Sequence, residues 1–493
     1  MKLKGRRAIL FLVVAAAPAL NAYGPAGHEI VGGIADQLLA HKPAGEQISA
    51  LIEGISLERA SVIADEIKAW DKNGPDDPNQ FPHYSDHPKI DQQLRDFWRA
   101  NPPTQDLNSP VPSHHWFHYT DVPIFTLERY SEGKAGRSKW DVVHMIPYCV
   151  SVLQGEIPEN NERKITKPIA VILLAHYVGD IHQPLHVGAE YFDEGGHTVD
   201  PDKTKSALAD EGGNTFALHL LDDPAPHRGI HYKKLHGFWD LDAVNTLLPQ
   251  FPATMPKEQQ KKETYAAIGK IAHKMAATEP GNWRLPTSIN LKKHAEAWAD
   301  EILPIAREAH ERLQLGSVHS QIDQGNTVAT GDAREQPASD HVLYRQWASN
   351  IVRDELHKAG WRLADLLEKS VKSNPSHSLT EVSSEAAASP SLAHQTTAEP
   401  SNPPVSPAGP TDSQYGEYPT NYKEIVTAWM KQNGRGAMTI DWQTEPKPTD
   451  VPLVKGQHRY GYLVIFNASA AGEPTKTRSL LIHNGEVITA SGF

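Results

Sequence analysis

The run KPIAVILLAHYVGDIHQPLH, residues 167–186, constrains this chain more than any other stretch. It is apolar enough for a buried helix, yet it carries His176 and Asp180 four residues apart. Pro184 then stops the helix just before His186. Ile169, Leu173, His176 and Asp180 fall at i, i+4, i+7 and i+11, which places them on one helix face. An aspartate on a buried face is a costly charge unless it is paired or ligating. The fold must therefore bring compensating groups to it, and sets of imidazole and carboxylate suit Zn²⁺. A single histidine here would read as a hydrogen-bonded core residue. The spacing H-x-x-x-D-x-x-x-x-x-H reverses that reading.

Other residues of the same types extend the set into a ladder. LHGFWD supplies a second His-x-x-x-Asp pair, His236 and Asp240. Alone, such a pair also caps or salt-bridges ordinary surface helices. His118 lies among aromatics in WFHYTDVP and is followed by Asp121. Asp65 sits in the apolar helical stretch ASVIADEIK, with Lys68 one turn on, and His28 lies near the start. His182 reads as structural, and His114 and His115 as loop residues. A ladder this long can hold more than one ion, which points to hydrolysis of phosphate esters.

The 493 residues allow two or more domains. A mean hydropathy of −0.50 suits a soluble protein rather than an integral membrane one. Residues 1–22 read as a secretory signal: Lys2, Lys4, Arg6 and Arg7, then AILFLVVAAAPAL, then Asn21-Ala22 at a plausible cleavage point. Arg6-Arg7 is weak evidence for a twin-arginine route. An uncleaved anchor is the alternative, but no stop-transfer pattern follows. The expected location is secreted or periplasmic, after cleavage near Ala22. Removing the leader's four positive charges takes the net charge from −12 to −16. A chain this acidic does not hold nucleic acid by a basic surface, so any such chemistry must rely on bound cations. The single cysteine, Cys149, excludes an intrachain disulfide and reads as a small buried hydrophobe in MIPYCVSVL.

From 23 to 370 the apolar spacing is helical, in YGPAGHEIVGGIADQLLAHK and at five further places, and no sustained alternation of period two appears. Turn-rich stretches cover 72–114, 187–230 and 317–340. This part is expected to be mostly α. Residues 371–414 are Ser, Pro, Ala and Thr with almost no large apolar side chain, the composition of a disordered linker. Residues 415–493 predict a small α+β domain. Asn421 and Glu424 open a helix as a capping box, Gly434 stops it, and Asn484-Gly485 joins two strands. No catalytic constellation is visible there; a binding or attachment role with an unreadable partner is expected.

Taken together, these residues resemble the zinc-dependent single-strand-specific nucleases and 3′-nucleotidases of fungi, plants and bacteria, distant relatives of the zinc phospholipases C. The resemblance covers roughly 23–370. The family's aromatic-Gly start with a His at position six is Tyr23-Gly24 through His28. Its W-A-D-x-[IV]-[RK] element is Ile63–Lys68, its H-[FY]-x-[DN] element is His118–Asp121, and its H-[FY]-[IV]-G-D-x-x-Q-P-L-H element is complete in 176–186. A G-G-N stretch follows at Gly212–Asn214, before His236 and Asp240.

The resemblance implies a helical domain holding three zinc ions. Asp65, His118, His176 and Asp180 would hold one. Asp180, His28 and the amino nitrogen and carbonyl oxygen of Tyr23 would hold a second. His186, His236 and Asp240 would hold the third. It implies that a water shared by two ions acts as nucleophile, that Asp65 and Asp180 are catalytic through those ions, and that Lys68 neutralises charge on the phosphoryl group. Tyr119, Asp121 and Asn214 would bind substrate, with Tyr119 stacking under a base and Asp121 bonding its edge. Single-stranded DNA, RNA and 3′-nucleotides are the implied substrates. A monomer with no stable membrane partner is expected. The chain departs from the family pattern in having Tyr23 for Trp, Lys68 where Arg is common, no disulfides, and long insertions between Asp65 and His118 and between His186 and His236. Two other readings are a zinc phospholipase C, whose last ligand is usually Glu rather than the Asp of HGFWD, and a secreted zinc-binding protein without catalysis.

Overall fold

The computed structural model describes residues 23–371 and 415–491, apart from 78–81, 105–108, 224–232, 253, 324–325, 417, 433–437, 443–445, 453–457 and 470–475. The expected leader and linker, and Gly434, lie outside the described residues. The chain divides into two compact units, Met1–Glu381 and Val382–Phe493.

The first unit is mostly α, as its spacing predicts. Its helices of more than ten described residues are α1 (Pro25–Leu39), α2 (Pro88–Ala100), α3 (Val142–Leu153), α4 (Lys167–Asp180), α5 (Lys257–Ala276), α6 (His294–Glu311) and α7 (Tyr344–Ser370). α4 starts where the Thr166 side chain accepts from the Ile169 N–H, with Pro168 in the first turn. Every residue from Ile169 to Asp180 is buried. This corrects the one-face reading: α4 is enclosed on all sides, by α1, α2, α3 and α7 among others. Burying each of its Ile, Leu and Val side chains contributes about 1.5–3 kcal/mol. That apolar sheath is what fixes His176 and Asp180 in space. α1 approaches α7 so closely that a Cβ on Gly360 would lie 2.5 Å from Ile34 Cβ.

The stretches read as turns hold more structure than their sequence suggests. α2 lies within 72–114 and buries Ile90, Leu94 and Phe97. Within 187–230, Gly188–Ala189 pairs in parallel with Val122–Pro123, and Tyr191–Phe192 pairs with Leu208–Ala209. A sheet forms from β1 (Phe216–His219), β2 (Leu313–Asp323) and β3 (Asn326–Glu335), with β3 central. Alternation was invisible in β2 because most of its residues are exposed or half-exposed on both faces.

The second unit is the expected α+β module. Helix α8 (Tyr422–Gln432) buries Tyr422, Val426 and Met430, which join a core with Val464, Phe466, Leu480 and Ile482. Its antiparallel sheet is β4 (Thr439–Trp442), β5 (Lys447–Pro452), β6 (His458–Ser469), β7 (Lys476–His483) and β8 (Glu486–Ser491). β6 pairs with β4, β5 and β7. Asn484 and Gly485 take φ of +47° and +81° between paired His483 and Glu486, the geometry a two-residue hairpin demands. No helix among the described residues is long and apolar enough to cross a membrane.

Candidate metal centre

The ladder closes into two adjoining clusters. In the inner one, Asp180 turns a different oxygen to each side. Its Oδ2 lies 3.0 Å from His118 Nδ1 and 3.3 Å from His176 Nε2, while its Oδ1 lies 3.4 Å from His28 Nε2. Asp65 Oδ1 is 3.5 Å from His176 Nε2 and 3.8 Å from His118 Nδ1. The His28 ring stacks on His176 with centroids 3.9 Å apart. Gly179 makes room for it: a Cβ there would stand 2.7 Å from His28 Nδ1. This explains physically why Gly precedes Asp180.

The outer cluster is His186, His236 and Asp240. Asp240 lies 3.9 Å from His186 Nε2 through Oδ1 and 3.4 Å from His236 Nε2 through Oδ2. The expected plain helix under His236 and Asp240 is instead a short α-turn, Leu235–Gly237, running into a π-helical turn, Phe238–Asp242. Such turns recur at functional sites. Gln183 donates from Nε2 to Asp240 Oδ1 at 2.8 Å. Gly212, at φ +60°, packs so tightly that a Cβ would lie 2.1 Å from the Leu185 carbonyl oxygen, and its own carbonyl receives His236 Nδ1–H at 2.9 Å.

The proton positions decide what these clusters suit. His176 Nδ1 donates to the Ser61 carbonyl at 2.5 Å, and His186 Nδ1 donates to that of His118 at 2.9 Å. With Nδ1 protonated, each neutral ring presents a bare lone pair at Nε2. Burial keeps the rings neutral: it holds His176 at about 4 against the pull of Asp180, holds His236 at about 3 with help from His186, and lowers His186. The Nε2 atoms of His186 and His236 nonetheless face each other at 3.1 Å. His176 Nε2 likewise faces carboxylate oxygens. Both nitrogens of His28 and Asp180 Oδ1 are buried without hydrogen-bond partners. Lone pairs converging in a dry interior repel one another, which a cation among them relieves, and carbonyl-anchored imidazoles are the usual support of metal ligands. The donor set fits divalent metal ions.

The remaining expected residues are placed as follows. Lys68 Nζ reaches Asp65 Oδ1 at 2.6 Å. Burial raises the Asp65 carboxyl, but Lys68, His176 and His118 outweigh it and hold the group well below the usual carboxylate range. Tyr119 and Asp121 are half-buried. Burial, with Glu211, Asp210 and Asp141, pushes the Asp121 carboxyl well up. Asn214 Oδ1 is buried with no partner. Tyr23 is fully buried, and its hydroxyl satisfies itself by donating to the His182 carbonyl at 2.7 Å. Its neighbour Gly24 lies against Asp240 and Leu241. His182 is structural, held between the Val178 carbonyl and Arg362. Cys149 is buried, and burial raises its thiol.

Some residues escaped the sequence reading. Gln183 was visible only as part of a motif. Glu211, held at about 7 by burial with Asp323 and Asp210, flanks the G-G-N stretch and is coupled to Tyr119 and Asp121. His114 and His115 are not loop residues. They open a 3₁₀-helix, His114–His118, and meet Asp71.

A helical domain with adjoining buried His/Asp clusters that could hold metal ions suits a hydrolase. The chain belongs to the S1/P1 nuclease family, whose model matches residues 23–372. It is similar to Endonuclease 1 of Arabidopsis thaliana, 27% identical over 153 residues, which is 29% of this chain and 42% of that protein. It is also similar to Endonuclease 2 of Arabidopsis thaliana, 23% identical over 256 residues, or 49% and 64% of the two chains. These matches thus span less than two thirds of either relative.

Proposed function

We propose that this protein is an exported, zinc-dependent nuclease that cleaves single-stranded DNA and RNA to 5′-nucleotides and also acts as a 3′-nucleotidase. The observation that carries the reading is the 3.1 Å approach of His186 and His236 through nitrogens that carry no proton, beside Asp240. Three ions are proposed: one on Asp65, His118, His176 and Asp180, one on Asp180, His28 and the Tyr23 backbone, and one on His186, His236 and Asp240. Bound zinc supplies Lewis-acid charge and activates water at neutral pH. The chain's own residues do the rest. Asp180 presents one oxygen to each side of the inner cluster. Lys68 stands beside Asp65 to offset charge on the phosphoryl group. Tyr119 offers a face for an unpaired base, and Asp121, whose carboxyl burial pushes up, can hydrogen-bond its edge. Asn214 Oδ1 is an acceptor awaiting a substrate donor. Family membership supports nucleic acid as substrate, and the acidic chain fits cation-mediated rather than basic-surface binding.

The test is turnover by one zinc-loaded sample of single-stranded DNA, RNA, 3′-nucleotides, duplex DNA and phosphatidylcholine. Fastest turnover of single strands, with release of phosphate from 3′-nucleotides, is expected. Preferential hydrolysis of phosphatidylcholine would overturn the proposal in favour of a phospholipase C.

A further inference from the structure

Asp71, His114 and His115 form a third His/Asp cluster, outside the two that make up the centre. Asp71 lies near the end of the 3₁₀-helix Ile67–Lys72, which follows directly from the turn bearing Asp65. His114 and His115 begin the 3₁₀-helix that ends in His118. The two segments are 43 residues apart at their junction, across the long stretch between Asp65 and His118.

The geometry is that of a small coordination site. His114 Nε2 lies 3.2 Å from Asp71 Oδ1, and His115 Nε2 lies 2.5 Å from Asp71 Oδ2. One ligand atom from each residue falls within 4.8 Å of the others. Ligands about 2.0–2.2 Å from a tetrahedral zinc stand roughly 3.3–3.6 Å apart, so His114 is already at ligand spacing and His115 needs to open by about 1 Å. His115 can do so, because its side chain is 35% exposed. The deeper part is fixed: His114 is 1% exposed, and Trp98 Nε1 donates to Asp71 Oδ1 at 2.9 Å, the kind of outer donor that orients a ligating carboxylate. The open side supplies an entry path and room for water as a fourth ligand.

We propose that Asp71, His114 and His115 bind one further divalent ion of the zinc type, which ties together and braces the two segments that carry Asp65 and His118. Closing a loop of this length by a metal removes entropy from the open chain. The ion is structural: none of its three ligands belongs to the clusters that line the centre.

The test counts metal rather than activity. The full chain is stripped with chelator, reloaded with zinc and freed of excess. The wild type is expected to retain one equivalent more than either His115→Ala or Asp71→Asn, the second of which keeps an acceptor for Trp98. Cobalt loading should show the same one-equivalent difference in visible absorption. Zinc-edge anomalous diffraction from the wild type, which needs no variant to fold, should show a peak among the three side chains. Equal zinc in wild type and both variants, or no anomalous peak there, would overturn the site and leave a plain hydrogen-bonded trio. His236→Ala reports on the main centre separately. A deficit confined to that variant would sink the clip and leave the proposed function standing.

Discussion

Two buried aspartates, each four residues after a histidine, behave in opposite ways. Asp180 has its ionised form stabilised: burial raises its carboxyl, but His176, His118 and His28 outweigh burial and hold it well below the usual range. Asp240 is pushed well above that range by burial, only partly offset by Gln183, with Asp65 and Asp180 adding to the rise. The same H-x-x-x-D spacing thus yields one carboxylate whose ionised form its histidine neighbours favour and one whose ionised form burial disfavours. The inner cluster rests on a rigid, enclosed helix. The outer cluster rests on a 3₁₀-turn, a glycine carbonyl and a π-turn. Spacing alone does not define a metal site; its surroundings set how strongly each carboxylate favours its charged form.

The sharpest challenge to this contrast is a pair of isosteric substitutions. Asp180→Asn should lower nuclease kcat at least about a thousandfold, because one residue serves both sides of the inner cluster, and Asp240→Asn about a hundredfold. Equal losses would remove the distinction. Gly179→Ala comes next. Its Cβ would press on His28, so activity should fall roughly a hundredfold while thermal unfolding shows a cost of about 1–3 kcal/mol. Near-normal activity would show that His28 has slack. Gln183→Leu should weaken retention of the outer ion about 10- to 100-fold, with the inner ions unaffected, as read by metal analysis during chelator titration. Loss of all ions together would mean the clusters are not separable.

The last prediction concerns the outer cluster's foundation. His310 Nε2 meets Asp210 Oδ2 at 2.7 Å, and Asp210 immediately precedes Glu211 and Gly212, whose carbonyl holds His236. Burial lowers His310, but Asp210 and Glu190 overcome it and raise the ring to about 9. A raised folded-state value means the pair's contribution is full below about 6.5 and is lost as pH rises through about 9. That contribution is on the order of 3 kcal/mol. Unfolding by denaturant across this window should therefore show the gap between wild type and Asp210→Asn narrowing at high pH. A constant gap would refute the linkage.

Much of this was legible because it is local. His176, Asp180 and His186 sit within eleven residues, and Pro184 and the Asn484-Gly485 turn are read from neighbouring letters. What was not legible depends on distant partners. Asp71 and His115 are 44 residues apart, so no spacing rule joins them. β2 hides because it is largely exposed, and the π-turn under Asp240 hides because an i, i+4 pair looks the same on either helix type. The enclosure of α4 on every side follows from its composition only after the packing is known.

The clamp around His182 has a consequence for how the molecule comes into being. That one residue is touched by Tyr23 from 159 positions upstream and by Arg362 from 180 positions downstream. These bonds tie the exit of helix α4 to both ends of the domain. Contacts this remote in sequence form late, after the loops between them have closed. The turn that follows α4 is therefore set by the whole domain rather than by its own sequence alone.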